Sequence, residues 1–230
     1  MAGRGKALAV DEKRGRSRFR TREAMDFDPS PTILSSQEEV VEYLEKYPGS
    51  LPSGIVVEWC PFETNVRIPP PEGGMYFQPQ VLVLMVHLPL TDFVRQVPAY
   101  YNVVPTQLML GAWRTILGFE ALCVDFAAAS YSLEDFTTCY LMQRLLSVVC
   151  SFSPGGTRLK LIVNLSDSDH EWNSTIVFWD AAIENDCGNV LTSWSTGAFA
   201  YGSELISAES EKWAKKLYQI EYDKHNWSGC

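Results

Sequence analysis

The acidic run DSDHE at positions 167–171 is the first stretch of this 230-residue chain that could do chemistry. Asp167, Asp169 and Glu171 could bind calcium through their carboxylate oxygens. An EF-hand loop, however, needs glycine at its sixth position and glutamate at its twelfth, where this chain has Trp172 and Phe178. A solvated loop between two strands therefore explains the run better than a calcium site.

Metal-assisted phosphoryl transfer would need several carboxylates that converge on two metal ions. Asp180, directly after the strand-like run TIVFW, is the nearest candidate, and the sequence favours a surface role for it. The histidines His87, His170 and His225 lie in unrelated contexts and do not form a zinc set. No glycine-rich loop with Lys-Ser or Lys-Thr follows a strand, so nucleotide binding has no support. The sequence predicts no catalytic residue, no metal, no cofactor and no small-molecule substrate.

The six cysteines are scattered without CxxC pairs or nearby histidines. Cys123, Cys139 and Cys150 lie in apolar stretches of the sequence, where a thiol behaves as a small hydrophobic side chain. The longest apolar run, Val81 to Val86, is far shorter than the roughly 20 residues that span a bilayer. We therefore expect an intracellular protein of the nucleus or cytoplasm that does not contact membranes.

The N-terminal 25 residues are strongly basic, with eight of the chain's 19 Lys and Arg residues against three acids. The remaining 205 residues hold 11 basic and 25 acidic residues, and such an acidic body repels phosphate backbones. Clustered guanidinium groups attract phosphates in a salt-sensitive way, although a solvated tail without a dedicated use has the same composition. The candidate nucleic-acid-binding residues are Lys13, Arg14, Arg16, Arg18, Arg20 and Arg22.

The pair Trp113-Arg114 could combine base stacking with a phosphate contact. Trp113, however, borders the apolar stripe of a helix that Pro105 is expected to open at its first position. A core tryptophan with Arg114 extending to solvent is therefore favoured. The stripe consists of Leu108, Ala112, Ile116 and Phe119, widened by Trp113 and Leu117.

Local signals predict several elements in the first half of the chain. Ser36 is expected to cap a helix, with Glu39 at the capping-box position, and IVVEW at 55–59 reads as a strand. Thr91 or Asp92 should cap a second helix that Pro98 disturbs, and YYNVV should form a turn. Residues 78–86 fit a buried helix or a buried strand equally well. The inward face of the first helix is predicted to be Val40, Val41, Leu44 and Tyr47.

The second half is predicted to contain one long helix, one hairpin and one terminal helix. The helix starts at Ser132 and runs to Cys150, and the runs TRLKLIVNL and STIVFWD should pair as antiparallel strands. The terminal helix has Ile206, Trp213, Leu217 and Ile220 on one face. Its seam of Trp213, Leu217 and Ile220 either folds back on the body or joins another chain, in self-association or with a partner protein.

An ordered series of short motifs from about Glu38 to about Trp179 resembles the plant putative gypsy-type transposon domain. The series begins with Tyr47 and LPSGIVV, then PPPEGGMYF, then Leu88 to Arg95. It continues with Tyr101 to Leu108, Ala112 to Phe119, FSPGGTRLKLIV and EWNSTIVFW. The chain departs from the family at Val86-His87, at Gly111 and at Glu171-Trp172-Asn173.

The resemblance implies a retrotransposon-derived, gag-like or domesticated plant protein, in a family with no established catalytic residues to carry over. We expect an α+β fold, mainly helical, with a small antiparallel β-hairpin. The expected organisation is a disordered basic arm at 1–30, the transposon-type domain at 31–187, and an irregular segment with an amphipathic helix at 188–230.

The leading hypothesis is a non-enzymatic domain that acts through protein–protein contact or assembly. The first alternative is a nucleic-acid-associated accessory protein that uses the basic arm. The second, which we do not favour, is an unrecognised metal-dependent enzyme of transposition.

Overall fold

The computed structural model describes 34–51, 56–61, 75–84, 86, 88, 90–124, 131–145, 149–154, 160–162, 177–179 and 208–219. The predicted basic arm, 1–30, lies outside these residues. The described part is mostly helical and also contains antiparallel strands, so the expected α+β class with a small hairpin is confirmed.

Five α-helices and five strands are described. The helices are α1 (Gln37–Glu45), α2 (Asp92–Tyr101), α3 (Leu110–Leu122), α4 (Leu133–Cys139) and α5 (Ala208–Tyr218). Two 3₁₀ helices span Pro79–Leu84 and Pro105–Gln107. The strands are β1 (Val57–Trp59), β2 (Met75–Phe77), β3 (Leu141–Leu145), β4 (Val149–Ser153) and β5 (Val177–Trp179).

Helix α1 begins directly after Ser36, the N-cap residue that the sequence predicts. The Ser36 hydroxyl accepts a hydrogen bond from the backbone N–H of Glu39 at 3.3 Å. The Glu39 carboxylate, however, reaches one residue further back than a capping box predicts. It accepts bonds from the Ser35 backbone N–H at 2.7 Å and from the Ser35 hydroxyl at 2.9 Å. Val40 and Tyr43 face the core, whereas the prediction for Val41 is wrong because its side chain is 47% exposed.

Helix α2 also begins at its predicted cap, because the Thr91 hydroxyl accepts a bond from the backbone N–H of Val94. Pro98 lies inside the helix without ending it. The end comes at Asn102, whose φ of 55° is left-handed. Val103 N–H then bonds to Pro98 O, and Asn102 N–H bonds to Ala99 O. This pattern is a Schellman motif, which satisfies the last carbonyls of a helix.

Pro105 opens a 3₁₀ turn and not the long helix that the sequence predicts. The Gln107 side-chain oxygen accepts a bond from Val104 N–H at 3.1 Å and closes that turn. Met109 N–H then bonds to Cys150 O at 2.9 Å, which ties the chain to β4 before α3 begins. The predicted stripe is nevertheless the core, because Leu108, Ala112, Ile116 and Phe119 are all fully buried.

The predicted helix from Ser132 to Cys150 is wrong beyond Cys139. Tyr140 adopts an extended backbone, and Leu141–Leu145 then pairs with Val149–Ser153 as an antiparallel hairpin. The hydroxyls of Thr137 and Thr138 both bond back to Glu134 O, a contact that weakens helix continuation. The Tyr140 hydroxyl accepts a bond from Ile162 N–H at 2.9 Å, which fixes the turn out of the helix.

The predicted pairing of TRLKLIVNL with STIVFWD is also corrected. Residues 177–179 do form a strand, but 160–162 do not. Strand β5 instead pairs antiparallel with both β1 and β2, in the order β1-β5-β2. The central strand of this sheet is therefore the last one in the sequence.

Helix α5 packs on α4. Of the two alternatives for the C-terminal seam, the structure therefore shows the one in which the helix folds back on the body of the same chain. Leu217 is 2% exposed, Ala214 is buried, and the Trp213 ring centroid lies 5.7 Å from that of Phe119. Ile206 and Ile220 lie outside the described residues.

Candidate functional site

A cleft of about 240 Å³ opens where the first turn of α2, the end of α3 and the start of α4 meet. Its floor is aromatic, because Phe93 is buried there and Tyr131 stacks edge-on against it with ring centroids 5.2 Å apart. Its rim is polar. The lining residues are Thr91, Asp92, Phe93, Gln96, Glu120, Tyr131, Ser132 and Leu133.

Glu120 is the central polar group of this Glu120 cleft. One carboxylate oxygen, Oε1, accepts a bond from the Thr91 hydroxyl at 2.7 Å and another from the Tyr131 hydroxyl at 3.0 Å. Hydrogen bonds to a carboxylate are stronger than those between neutral groups. The single oxygen therefore joins three parts of the chain that are 11 and 29 residues apart in sequence.

The Thr91–Glu120 pair has the hydrogen-bond geometry of a nucleophile beside a base. The same Thr91 oxygen, however, caps α2 by accepting the Val94 N–H. A second donor, the Tyr131 hydroxyl, occupies the same carboxylate oxygen. The arrangement is therefore that of a structural tie between helices.

Burial raises the pKa of Tyr131 to about 12, and the negative charge of Glu120 adds to this effect. The phenol consequently stays protonated at neutral pH and keeps donating to the carboxylate. At the other side of the cleft, Ser132 and Asp135 form a reciprocal capping box with distances of 2.7 to 3.2 Å. Asp92 pairs with Arg95 on the same turn of α2.

The described cysteines are buried and carry free thiols. Burial is the main cause that raises the pKa of Cys123 well above its ordinary value and that of Cys150 to about 11. The thiolate is the reactive form of cysteine, so these thiols are chemically quiet at neutral pH. The described cysteines are Cys60, Cys123, Cys139 and Cys150, whereas Cys187 and Cys230 lie outside the described part.

A second polar arrangement joins α1 to the edge of the three-stranded sheet. The Gln37 side-chain amide donates to Val57 O at 2.9 Å, and its oxygen accepts from Trp59 N–H at 2.7 Å. The Trp59 indole N–H donates to Leu34 O at 3.1 Å. We call the surface between α1 and β1 the α1–β1 groove.

The structure places few of the sequence-predicted site residues. Trp113 is a core side chain, 2% exposed, as predicted. Asp180, the DSDHE run and the three histidines lie outside the described residues. So do the candidate nucleic-acid-binding residues Lys13, Arg14, Arg16, Arg18, Arg20 and Arg22.

Within the described ranges, no group of three His, Cys, Asp or Glu side chains could hold a metal ion. No helix in the same part of the chain is long and apolar enough to cross a bilayer.

Sequence reasoning missed the roles of Glu120, Tyr131 and Gln37. The start of a helix at Ser132 is a local signal, and the sequence predicts it. The others depend on partners 11 to 29 residues away, for which a single sequence offers no spacing rule.

Comparisons of this chain with protein-family models, with curated proteins and with solved structures find no match. The likeness to a plant transposon domain consequently remains a prediction.

Proposed function

We propose that this chain is a non-enzymatic, retrotransposon-derived, gag-like domain that acts through protein–protein contact or assembly. One observation carries the proposal: in the Glu120 cleft, one carboxylate oxygen, Glu120 Oε1, accepts two structural hydrogen bonds. A side chain committed to holding three elements together is suited to a scaffold. The quiet thiols of Cys123 and Cys150 agree with the same interpretation.

The contact surface should lie away from the seam of α5. Leu217 and Trp213 pack on the chain's own body, so the partner contact proposed for Trp213, Leu217 and Ile220 would require α5 to detach. The proposal includes a location in the nucleus or cytoplasm, where buried thiols such as that of Cys123 stay reduced.

Light scattering on the full chain and on a variant lacking residues 1–25 tests this function. We expect both proteins to self-associate as their concentration is raised, because the contact belongs to the folded body. If both stay monomeric at every concentration, and neither forms a complex with another protein chain, the proposal is wrong.

A second candidate function is nucleic-acid association through the basic arm, which the eight Lys and Arg residues within positions 1–25 favour. It predicts DNA or RNA binding that disappears with the arm and weakens steeply with salt. An enzyme of transposition would instead show metal-dependent nicking of DNA that Asp180→Ala abolishes.

A further inference from the structure

The Gln37 side chain occupies a position on β1 that a neighbouring strand would otherwise take. Within the described strands, β1 lies at an edge of the sheet and pairs with β5 on one side. Backbone groups of successive strand residues point to alternate sides. Gln37 bonds to the C=O of Val57 and the N–H of Trp59, two residues that straddle Glu58. A residue of a parallel strand makes this same pair of bonds, so the amide imitates one rung of a parallel ladder.

The α1–β1 groove carries exposed apolar side chains and exposed carboxylates, and we call these carboxylates its acidic rim. Val41 follows Gln37 on the same face of α1, since residues four apart on a helix are neighbours. Val41 is 47% exposed and Val56, next to β1, is 53% exposed. Glu38 and Glu45 of α1 and Glu58 of β1 are exposed as well. Exposed valines beside an edge strand, with carboxylates around them, suit an extended and basic segment.

The chain itself contains a segment of this kind. Residues 16–22 read Arg-Ser-Arg-Phe-Arg-Thr-Arg, with basic side chains at every second position. Strand geometry places alternate residues on opposite faces. In a strand, four guanidinium groups would therefore share one face, and Phe19 would lie on the other between Ser17 and Thr21.

The described chain also begins beside the groove. Leu34 O accepts the Trp59 indole N–H at 3.1 Å, so the first described residue lies next to β1. Eleven residues lie between Arg22 and Leu34, and this stretch can span up to about 40 Å when extended. The three residues of β1 cover only about 10 Å, so the segment can reach the strand in either direction.

We propose that residues 16–22 of the same chain dock on the α1–β1 groove and add a strand parallel to β1. In this state they displace the Gln37 amide and take over its bonds to Val57 and Trp59. The arginine face pairs with Glu58 and the acidic rim, and Phe19 covers Val41. The docked guanidinium groups are withheld from other anions, so the groove acts as an internal competitor for phosphate-bearing partners. This inference does not depend on the self-association proposed above.

Hydrogen–deuterium exchange of the full chain, followed by mass spectrometry at low ionic strength, tests the docking. We expect the amides of 16–22 to exchange about tenfold more slowly than an unstructured peptide of the same sequence. Glu58→Lys should remove this protection, because it places a positive charge opposite the arginines. The matched control is Glu209→Lys, an equal charge change at an exposed position of α5, which should leave the protection intact.

The variant Gln37→Ala distinguishes strand pairing with β1 from unspecific electrostatic attraction to an acidic surface. Because the native amide competes for the same backbone groups, its removal should increase the protection of 16–22. Amides of the buried helix α3 report whether each variant is still folded.

Three results would overturn the inference. The arm amides of the unaltered protein could exchange at the unstructured rate. Glu58→Lys and Glu209→Lys could reduce the protection equally, which would indicate unspecific attraction. The protection could also rise with protein concentration, which would assign the docking to a second copy instead of the same chain.

Discussion

The Glu120 cleft and the α1–β1 groove both rest on one polar side chain that joins distant elements, but they differ in what surrounds that side chain. Glu120 stands over packed rings, with Phe93 and Phe119 stacked at 5.5 Å between centroids. Gln37 is exposed and has exposed Val41 and Val56 beside it. A polar tie on a packed core is reinforced by the burial around it, whereas the Gln37 tie on the strand edge has exposed side chains beside it.

Phe119→Ala should produce the largest effect, because it removes the ring on which the cleft depends. Phe119 is fully buried, and its ring centroid lies 5.3 Å from that of Phe136. Truncation of such a ring costs about 3–5 kcal/mol of unfolding free energy. Val41→Ala in the groove should cost no more than about 0.5 kcal/mol. Urea unfolding followed by tryptophan fluorescence measures both, and similar losses for the two variants would contradict the contrast.

Glu120→Ala should come next, since it leaves the hydroxyls of Thr91 and Tyr131 without their shared acceptor. Loss of hydrogen bonds to a charged group suggests a decrease of about 2 kcal/mol in unfolding free energy. Glu209→Ala on the exposed side of α5 is the control and should change little. A stability equal to that of the unaltered protein would mean that the carboxylate does not hold the three elements together.

Gln37→Ala should destabilise the protein by about 1 kcal/mol, because two neutral hydrogen bonds between α1 and β1 are lost. Gln96→Ala, an exposed amide at the rim of the cleft, should be neutral and serves as the control. Chemical denaturation at equilibrium measures the difference. If Gln37→Ala proves as costly as Glu120→Ala, the groove is not the more readily exchanged of the two regions.

Tyr131→Phe should have the smallest effect, and that effect should change with pH in alkali. The pKa of Tyr131 is raised from its ordinary value of 10 to about 12 in the folded protein. The protonated phenol is therefore favoured by folding, and its contribution is fully present below pH 10 and is lost as the pH rises through about 12. Burial also raises the pKa of Tyr43 and Tyr140, which add losses in the same direction. Thermal melts from about pH 8 to about pH 12 cover this range. The melting temperature should fall less steeply with rising pH for the variant than for the unaltered protein. Parallel curves would show that Tyr131 does not contribute.

What the sequence predicts well is local. The caps at Ser36 and Thr91 and the turn within YYNVV each depend on residues within a few positions, and each is confirmed. Trp113 was assigned to the core from helical spacing alone, because a periodic apolar face needs no knowledge of its partner.

What the sequence does not predict is decided by distant partners. The sequence after Cys139 is apolar enough for either a helix or a strand. The pairing of β3 with β4 and the hydrogen bond between Tyr140 and Ile162 favour the hairpin. The position of β5 between β1 and β2 cannot be inferred from the sequence of any one of these strands. The Gln37 contact has no local signature at all, because an exposed glutamine on the first turn of a helix ordinarily bonds to water.

The strand order β1-β5-β2 has a consequence during synthesis on the ribosome. Strands β1 and β2 have no described pairing with each other and meet only through β5. At about 5–20 residues per second, the roughly 100 residues from β2 to β5 take about 5–20 s to be made. The nascent chain must therefore carry β1 and β2 without their partner β5 through that interval, while the local contacts of α2 and α3 can already form.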